Sequence, residues 1–342
     1  MSTATLAPLV REDVGPALPA ERGPWSRGVL DVLRGDAGGE QAFVAAVPAD
    51  PLADDDLQLA LYLCYELHYA GFAGVDARLE WDPNLLTLRR TMEDAFERAL
   101  RADVPVSVPT VPPDPVAALS HAIAAAGGPS LSTFMVERGS SGHFREFAMH
   151  RSLYQRKEAD PHTWAIPRVH GPAKAALAQI QMGEYGDGRP SEVHAELFAV
   201  TMRALGLDGT YGAYLDQAPG PTLATVNLIS LFGLHRRLRG ALLGHLAVFE
   251  MTSVEPMARY SDALRRLGVA ASARRFYDAH VVADAEHAQV AARMIAAAVE
   301  ADPELAADVQ FGAGAALQVE RRFAEHLLRA WTRGQSSLRA RA

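Results

Sequence analysis

Three side chains in the stretch 280-HVVADAEH-287 are of types that bind metals: His280, Asp284 and His287. On an α-helix, at about 100° per residue, position 284 falls roughly 40° to one side of position 280 and position 287 roughly 20° to the other. Two imidazoles and a carboxylate then leave the helix in a wedge about 60° wide. Such a wedge is either a wet surface face or part of a metal site, and a metal site would need carboxylates from neighbouring helices. Three further residues meet that need. Glu184, in 181-QMGEYGDGRP-190, closes an amphipathic helix just before a glycine-rich break. An acid there opposes the helix dipole unless it has a partner. His194, in 191-SEVHAELFAV-200, shares its side of a helix with Leu197, Phe198 and Thr201, while Glu192 and Glu196 point elsewhere. Glu250, in 241-ALLGHLAVFEMTS-253, lies on one face with Leu243, Leu246 and Ala247, where an unpartnered carboxylate is costly to bury. His245, about 140° around the same helix, reads as structural. Three carboxylates and three imidazoles, with no thiolate, make the oxygen-rich donor set that suits two iron ions.

The elements that must position these residues read as helices almost throughout. Apolar spacing of three and four predicts helices over 54–69, 83–101, 115–126, 140–158, 171–184, 190–205, 221–234, 236–252, 255–267, 270–300 and 302–333. Pro221, Pro303 and Gly206 fall where helix starts and stops are expected. No run sustains the alternation of a strand, so the fold class is all-α. Residues 1–25, with Pro8, Pro16, Pro19 and Pro24, are expected to form a flexible arm. A helical N-terminal region over 26–113 then leans on a larger helical domain over 114–335, and residues 336–342 are expected to fray. Between the two helical parts, 104-VPVSVPTVPPDP-115 carries five prolines and cannot be a helix interior.

Composition narrows the function classes. With 49% hydrophobic and 22% charged residues the chain resembles an ordinary soluble protein. Its net charge of −8 gives no electrostatic case for nucleic acid or an anionic membrane surface. Arg236, Arg237 and Arg239 read as a solvated helix end rather than an anion site. The single cysteine, Cys64, excludes an intrachain disulfide, cysteine-ligated zinc and iron–sulfur clusters. With no signal-peptide pattern and no uninterrupted apolar run long enough to span a bilayer, the expected setting is cytoplasmic.

The order Glu184, His194, Glu250, then His280-x3-Asp284-x2-His287 resembles the haem-oxygenase-like diiron oxidases, also called iron-containing redox enzymes. The phrases 184-EYGDGRPSEVHAELF-198, 240-GALLGHLAVFEMTS-253 and 276-FYDAHVVADAEH-287 are similar to that family as well, and the likeness runs over about 140–335. It implies a seven-helix, haem-oxygenase-like bundle that binds two non-haem irons through those six residues. In some relatives an upstream carboxylate joins the site, and Glu158, in 156-RKEADPH-162, stands in that position here. The resemblance further implies an oxidase or oxygenase that activates O₂ to oxidise a small molecule in biosynthesis. The substrate it points to is an amine or amino-acid-like compound, and the reaction N-oxygenation, oxidative C–C cleavage or desaturation. It also brings an electron donor and a homodimer formed through the N-terminal helices. Manganese fits the same ligands. The apolar cavity such chemistry needs is expected among Ile229, Leu231, Phe232, Leu243, Val248, Phe249, Phe276, Tyr277 and Met294, most of them plain core. The competing reading is a haem-oxygenase-like helical protein without diiron chemistry: a cofactor-free oxidase, or a metal-dead binding or scaffold protein. A thiaminase-like hydrolase would want a nucleophilic cysteine, and Cys64 lies outside the bundle region.

Overall fold

The computed structural model describes residues 15–35, 45–104 and 114–340, and among them there is no strand. The helices are α1 (Pro24–Arg34), α2 (Asp55–Glu66), α3 (Pro83–Asp103), α4 (Pro115–Ala125), α5 (Leu131–Glu137), α6 (Ser141–Gln155), α7 (Asp160–Thr163) and α8 (Gly171–Glu184). They continue with α9 (His194–Ala204), α10 (Gly220–Leu234), α11 (Arg239–Thr252), α12 (Val254–Arg266), α13 (Arg275–Ala301) and α14 (Leu305–Thr332). Local chemistry starts many of them. The Asp54 carboxylate accepts from the backbone N–H of Asp56 and Leu57, Asp82 does the same for Asn84 and Leu85, and Ser140 with His143 forms a capping box. Proline stands in the first turn of α1, α3, α4 and α8, where its missing N–H costs no intrahelical bond.

The all-α expectation holds, with local differences that matter for the site. Helices α5 and α7 run only two turns and one, too short for a strong periodic signature, whereas α1 buries Trp25, Val29, Leu30 and Leu33 on one face. Helix α6 stops at Gln155 instead of 158, which leaves Glu158 in a turn. Helix α9 begins at His194 instead of 190, because Pro190–Glu192 makes a separate 3₁₀ turn.

Helix α13 packs against α8, α9, α11 and α12, and α11 runs along α14. That last contact is backbone on backbone: a Cβ on Gly312 would sit 2.0 Å from the Ala241 carbonyl oxygen, and one on Gly244 2.1 Å from that of Val309. Only glycine allows the helices so near each other. One apolar cluster joins Trp25, Leu59, Tyr62 and Phe96 to Leu223, Leu242, Ile295 and Val309, so the N-terminal helices share the core of the bundle. A second cluster, with Phe144, Phe198, Phe276 and Phe323, fills the space around α6, α9, α13 and the end of α14.

Both chain ends differ from expectation where they are described. Of the 1–25 arm, residues 1–14 lie outside the described residues, as do 105–113 of the proline-rich stretch. From residue 15 onward the arm is tied down: Ala20 N–H donates to Asp216, and Arg22 donates to the Leu215 carbonyl. The tail expected to fray is held as far as Arg339. Ser337 is buried, its hydroxyl within hydrogen-bond distance of His150 Nε2 (3.0 Å) and Glu146 Oε2 (2.7 Å), and Arg339 pairs with Asp55 at 2.8 Å. The physical reason is that buried His150 and half-buried Glu146 need polar partners, and the tail supplies one. Arg237 and Arg239 also do more than solvate a helix end, since they pair with Glu97 and Asp302.

Candidate metal centre

Four elements converge on the wedge of α13. Glu184 is the last residue of α8, and His194 is the first of α9. Between them the chain reverses through Gly186 (φ 65°) and Asp187 (φ 51°), both left-handed. Gly186 could carry no side chain there, since a Cβ would lie 2.6 Å from the Val193 nitrogen. Glu250 comes from α11, His280, Asp284 and His287 from α13, and Glu158 from the turn after α6. All seven are buried, between 2% and 8% exposed.

They form two groups. Glu158, Glu184, His194 and His280 each offer a ligand atom within 4.8 Å of the others, and so do Glu184, Glu250, Asp284 and His287. Glu184 belongs to both. His194 Nδ1 lies 2.7 Å from Glu184 Oε2, His280 Nε2 3.6 Å from Glu158 Oε2, and His287 Nδ1 3.2 Å from Glu250 Oε2 and 3.5 Å from Glu184 Oε1. Two ligands each about 2.1 Å from one ion sit roughly 3 Å apart when they meet at a right angle. These separations have that scale.

The hydrogen-bonding pattern tests whether a cation fits these residues. His194 Nδ1, His287 Nδ1, Glu184 Oε2 and Glu158 Oε2 are buried, and none makes a hydrogen bond of good geometry despite the short separations. Orphaned atoms of this kind are rare in a folded interior, and here they aim at common points. The other sides of the ligands are fixed. His280 Nδ1 lies 2.8 Å from the Phe276 carbonyl oxygen and donates to it, which leaves the Nε2 lone pair for the site. The Ser253 hydroxyl donates to Asp284 Oδ2 at 2.6 Å. With four carboxylates and three imidazoles the donor set suits iron or manganese, and four negative charges match two divalent ions. The residues fit the group that the sequence implied.

Electrostatics without an ion is correspondingly uneasy. Burial pulls the His280 imidazole down, but Glu158, then Glu184 and Asp284, override it and push it up to about 10. Burial likewise opposes His287, and Glu184 and Glu250 push it up to about 10. Burial drives the Glu250 carboxyl up to about 8, and its neighbours Glu184 and Asp284 add to the rise. Burial raises Glu184 too, yet His194 and the other imidazoles hold it below the usual carboxylate range. Two imidazoles, His280 and His287, and the Glu250 carboxyl therefore hold protons that a cation would displace.

Gly183, beside Glu184, has a steric role. A Cβ there would lie 2.7 Å from His287 Nε2, so the imidazole fits only over a bare backbone. Gly183→Ala is expected to displace the His287 ring and to lower metal content by one ion per chain, read by elemental analysis after saturation. Unchanged loading would show that His287 is not held there for a metal.

The family described as iron-containing redox enzymes matches residues 145–321, just over half of the 342-residue chain. The chain belongs to that family. No curated protein matches it. The family region contains all seven converging residues, and its all-α haem-oxygenase-like fold agrees with the helices described above. As a member of an iron-containing redox family, the protein is an oxidoreductase by class. Family membership and the buried His and Glu groups together fit an iron site.

Several residues near the centre carry no signal in the sequence. His245 does sit in the core, stacked on Phe249 at 4.6 Å, with Nδ1 3.2 Å from His162 Nε2. Burial keeps both imidazoles neutral, His162 down at about 4. Ser253, Gln155 and Tyr154 stand one position or one turn from a ligand or its helix end, and nothing in their spacing marks them. A cavity of about 330 Å³ opens beside Glu158. Of the residues expected to line it, Val248, Phe249 and Tyr277 do, while Ile229, Leu231, Phe232, Leu243, Phe276 and Met294 are core. Cys64 is buried in α2, and burial pushes its thiol up to about 12, so it is no nucleophile. Among the described residues, no helix is long and apolar enough to cross a membrane.

Proposed function

We propose that this protein is a cytoplasmic non-haem diiron oxidase or oxygenase that uses O₂ to oxidise a small molecule, an amine or amino-acid-like substrate. The observation that carries this reading is the pair of buried ligand groups sharing Glu184. Glu158, His194 and His280 would hold one ion, Glu250, Asp284 and His287 the other, and Glu184 both. Bound iron supplies the electrons that let O₂ react with an organic molecule. The chain supplies the rest. Phe276 packs against the His194 and His280 rings and keeps bulk water off them. Ser253 and the Phe276 carbonyl fix the orientation of Asp284 and His280. The Tyr154 phenol is held well above its ordinary value by burial and then by Glu158, Glu184 and Glu250, so it keeps a proton beside the centre. Manganese would bind through the same donors. An electron donor is the partner this chemistry requires.

Anaerobic titration with Fe(II) is expected to saturate at two ions per chain, and admission of O₂ to the loaded protein to consume O₂. His287→Ala should lose both. The same titration in weak buffer with a pH indicator should release protons, because His280, His287 and Glu250 hold them in the metal-free chain at neutral pH. Affinity should therefore fall as the pH falls. Saturation at one ion, or two ions with no reaction toward O₂ in the presence of amines, would sink the reading.

A homodimer through the N-terminal helices belongs to the same proposal. Trp81, 64% exposed in the 3₁₀ turn before α3, offers an apolar contact in that region. Light scattering is expected to give twice the 36.8 kDa chain mass, and Trp81→Glu to halve it. A monomer for the wild type removes the dimer and leaves the chemistry untouched.

A further inference from the structure

The cavity beside Glu158 has a volume of about 330 Å³, at the small end of ligand sites, which span ~300–1,000 Å³. Val248, Phe249 and Met257 make much of its wall apolar. Besides Glu158 Oε2, two buried polar atoms on residues of that wall have no hydrogen-bond partner among the described residues: Gln155 Oε1 and Tyr277 Oη, on side chains 6% and 1% exposed. Buried polar atoms are nearly always paired, so these two mark where a ligand's polar atoms fit. Gln155 and Tyr277 line the same cavity as Glu158, a residue of the candidate centre.

The chemistry of the wall selects the ligand. An amide oxygen only accepts hydrogen bonds, so it calls for an N–H or O–H donor. The cations of the wall are already engaged. Arg151 donates to both carboxylate oxygens of Glu320 (2.9 and 2.5 Å) and lies over the Phe323 ring at 4.3 Å. Arg321 donates to Gln318 and Glu325. No guanidinium among the described wall residues is left to receive a carboxylate. Aromatic walls such as Tyr154 and Tyr260 favour a cationic head over an anionic one.

We infer that this cavity is the substrate pocket, and that it takes a compact apolar amine whose N–H groups meet Gln155 Oε1 and Tyr277 Oη, in preference to a molecule bearing a free carboxylate. The inference rests on the oxygenase reading for placing a substrate against Glu158, and narrows it to amines without the acid group of an amino acid.

Isothermal titration of the full chain, its metal content measured beforehand, with n-hexylamine, hexanoate and norleucine tests it. Hexylamine is expected to bind at least about tenfold more tightly than either acid. Gln155→Leu and Tyr277→Phe should each weaken it by roughly three- to tenfold, the worth of one hydrogen bond. Thr252→Trp, which fills the cavity from its rim, should abolish it. Melting temperatures are read in parallel. Tyr277→Phe loses a hydroxyl and no packing, so it keeps the test decisive if Gln155→Leu does not fold. Hexanoate or norleucine binding as tightly as hexylamine overturns the inference, and so does hexylamine binding untouched by Tyr277→Phe and Thr252→Trp. A chain that takes up no metal yet prefers hexylamine as described keeps the pocket and loses the oxygenase reading. A chain that takes up two ions and shows no such preference loses the pocket alone.

Discussion

Glu184→Ala is expected to abolish binding of both metal ions, whereas Glu250→Ala weakens only one. The difference follows from membership: Glu184 alone belongs to both ligand groups, while Glu250 serves the group of Asp284 and His287. Even partners outside the ligand shell are worth about 10- to 100-fold in affinity, so loss of a shared ligand should exceed about 100-fold for each ion. Stability of the metal-free chain should move in opposite directions for the two variants. Glu184 is held below the usual carboxylate range by its imidazole neighbours, so its ionised form stabilises the fold at neutral pH. That contribution is present above the unfolded value and is lost as pH falls through the folded one. Glu250 is pushed up to about 8 by burial, so at neutral pH the folded chain must hold its carboxyl protonated against its preference. Removing Glu184 should therefore destabilise the metal-free protein, and removing Glu250 should leave it unchanged or firmer. Elemental analysis after anaerobic loading and thermal melts of chelator-treated protein read the two effects. If Glu184→Ala loses a single ion, as Glu250→Ala does, the shared carboxylate is wrong and the site is two independent groups or none.

How much of this was legible in the sequence depends on whether a residue's role is set by helix period or by tertiary contact. His280, Asp284 and His287 were readable as one face because a helix fixes their angles whatever packs against it. Glu250 was readable because a carboxylate on an apolar face needs a reason to be there. The division of these residues into two groups that share Glu184 was not readable. It depends on the reversal through Gly186 and Asp187 that folds His194 back onto Glu184, and on the approach of α8, α11 and α13. Glu158 stands beyond the end of α6, where the 3.6-residue period no longer says which way a side chain points. Gln155 and Ser253 escaped for the same reason, since each is ordinary in its own helix or turn and acquires meaning only from what faces it, while Tyr277 was readable as a cavity wall. The N-terminal helices looked like a separate region because prolines interrupt the chain, yet Trp25 and Phe96 lie in the same apolar cluster as Leu242. Sequence punctuation and core boundaries need not coincide.

Lys157→Met is expected to cost about 3–5 kcal/mol of stability, the cost of breaking a buried ion pair from one side. Lys157 Nζ lies 2.8 Å from Glu66 Oε2, and the two side chains are 5% and 0% exposed. The ammonium sits 4.3 Å from the ring centroid of Tyr69 and 5.1 Å from that of Tyr62, so aromatic faces replace much of its lost water. Glu66 also accepts from the Tyr211 hydroxyl at 2.6 Å. Methionine fills the lysine stem but leaves the Glu66 carboxylate buried with no counter-charge. The double variant Lys157→Met, Glu66→Gln should regain most of the loss, because glutamine still accepts from Tyr211 and carries no charge to strand. Urea unfolding of the wild type, both single variants and the double at pH 7 gives the coupling directly. A loss under about 1 kcal/mol for Lys157→Met, or a double variant no better than the single, would mean that the pair is screened or incidental. The pair also bears on the centre, since Lys157 immediately precedes Glu158, and Glu66 belongs to α2, outside the residues matched to the family. If the N-terminal helices exist to hold that turn in place, Lys157→Met should lose the Glu158-side ion before it unfolds, and the double variant should recover both ions with its stability.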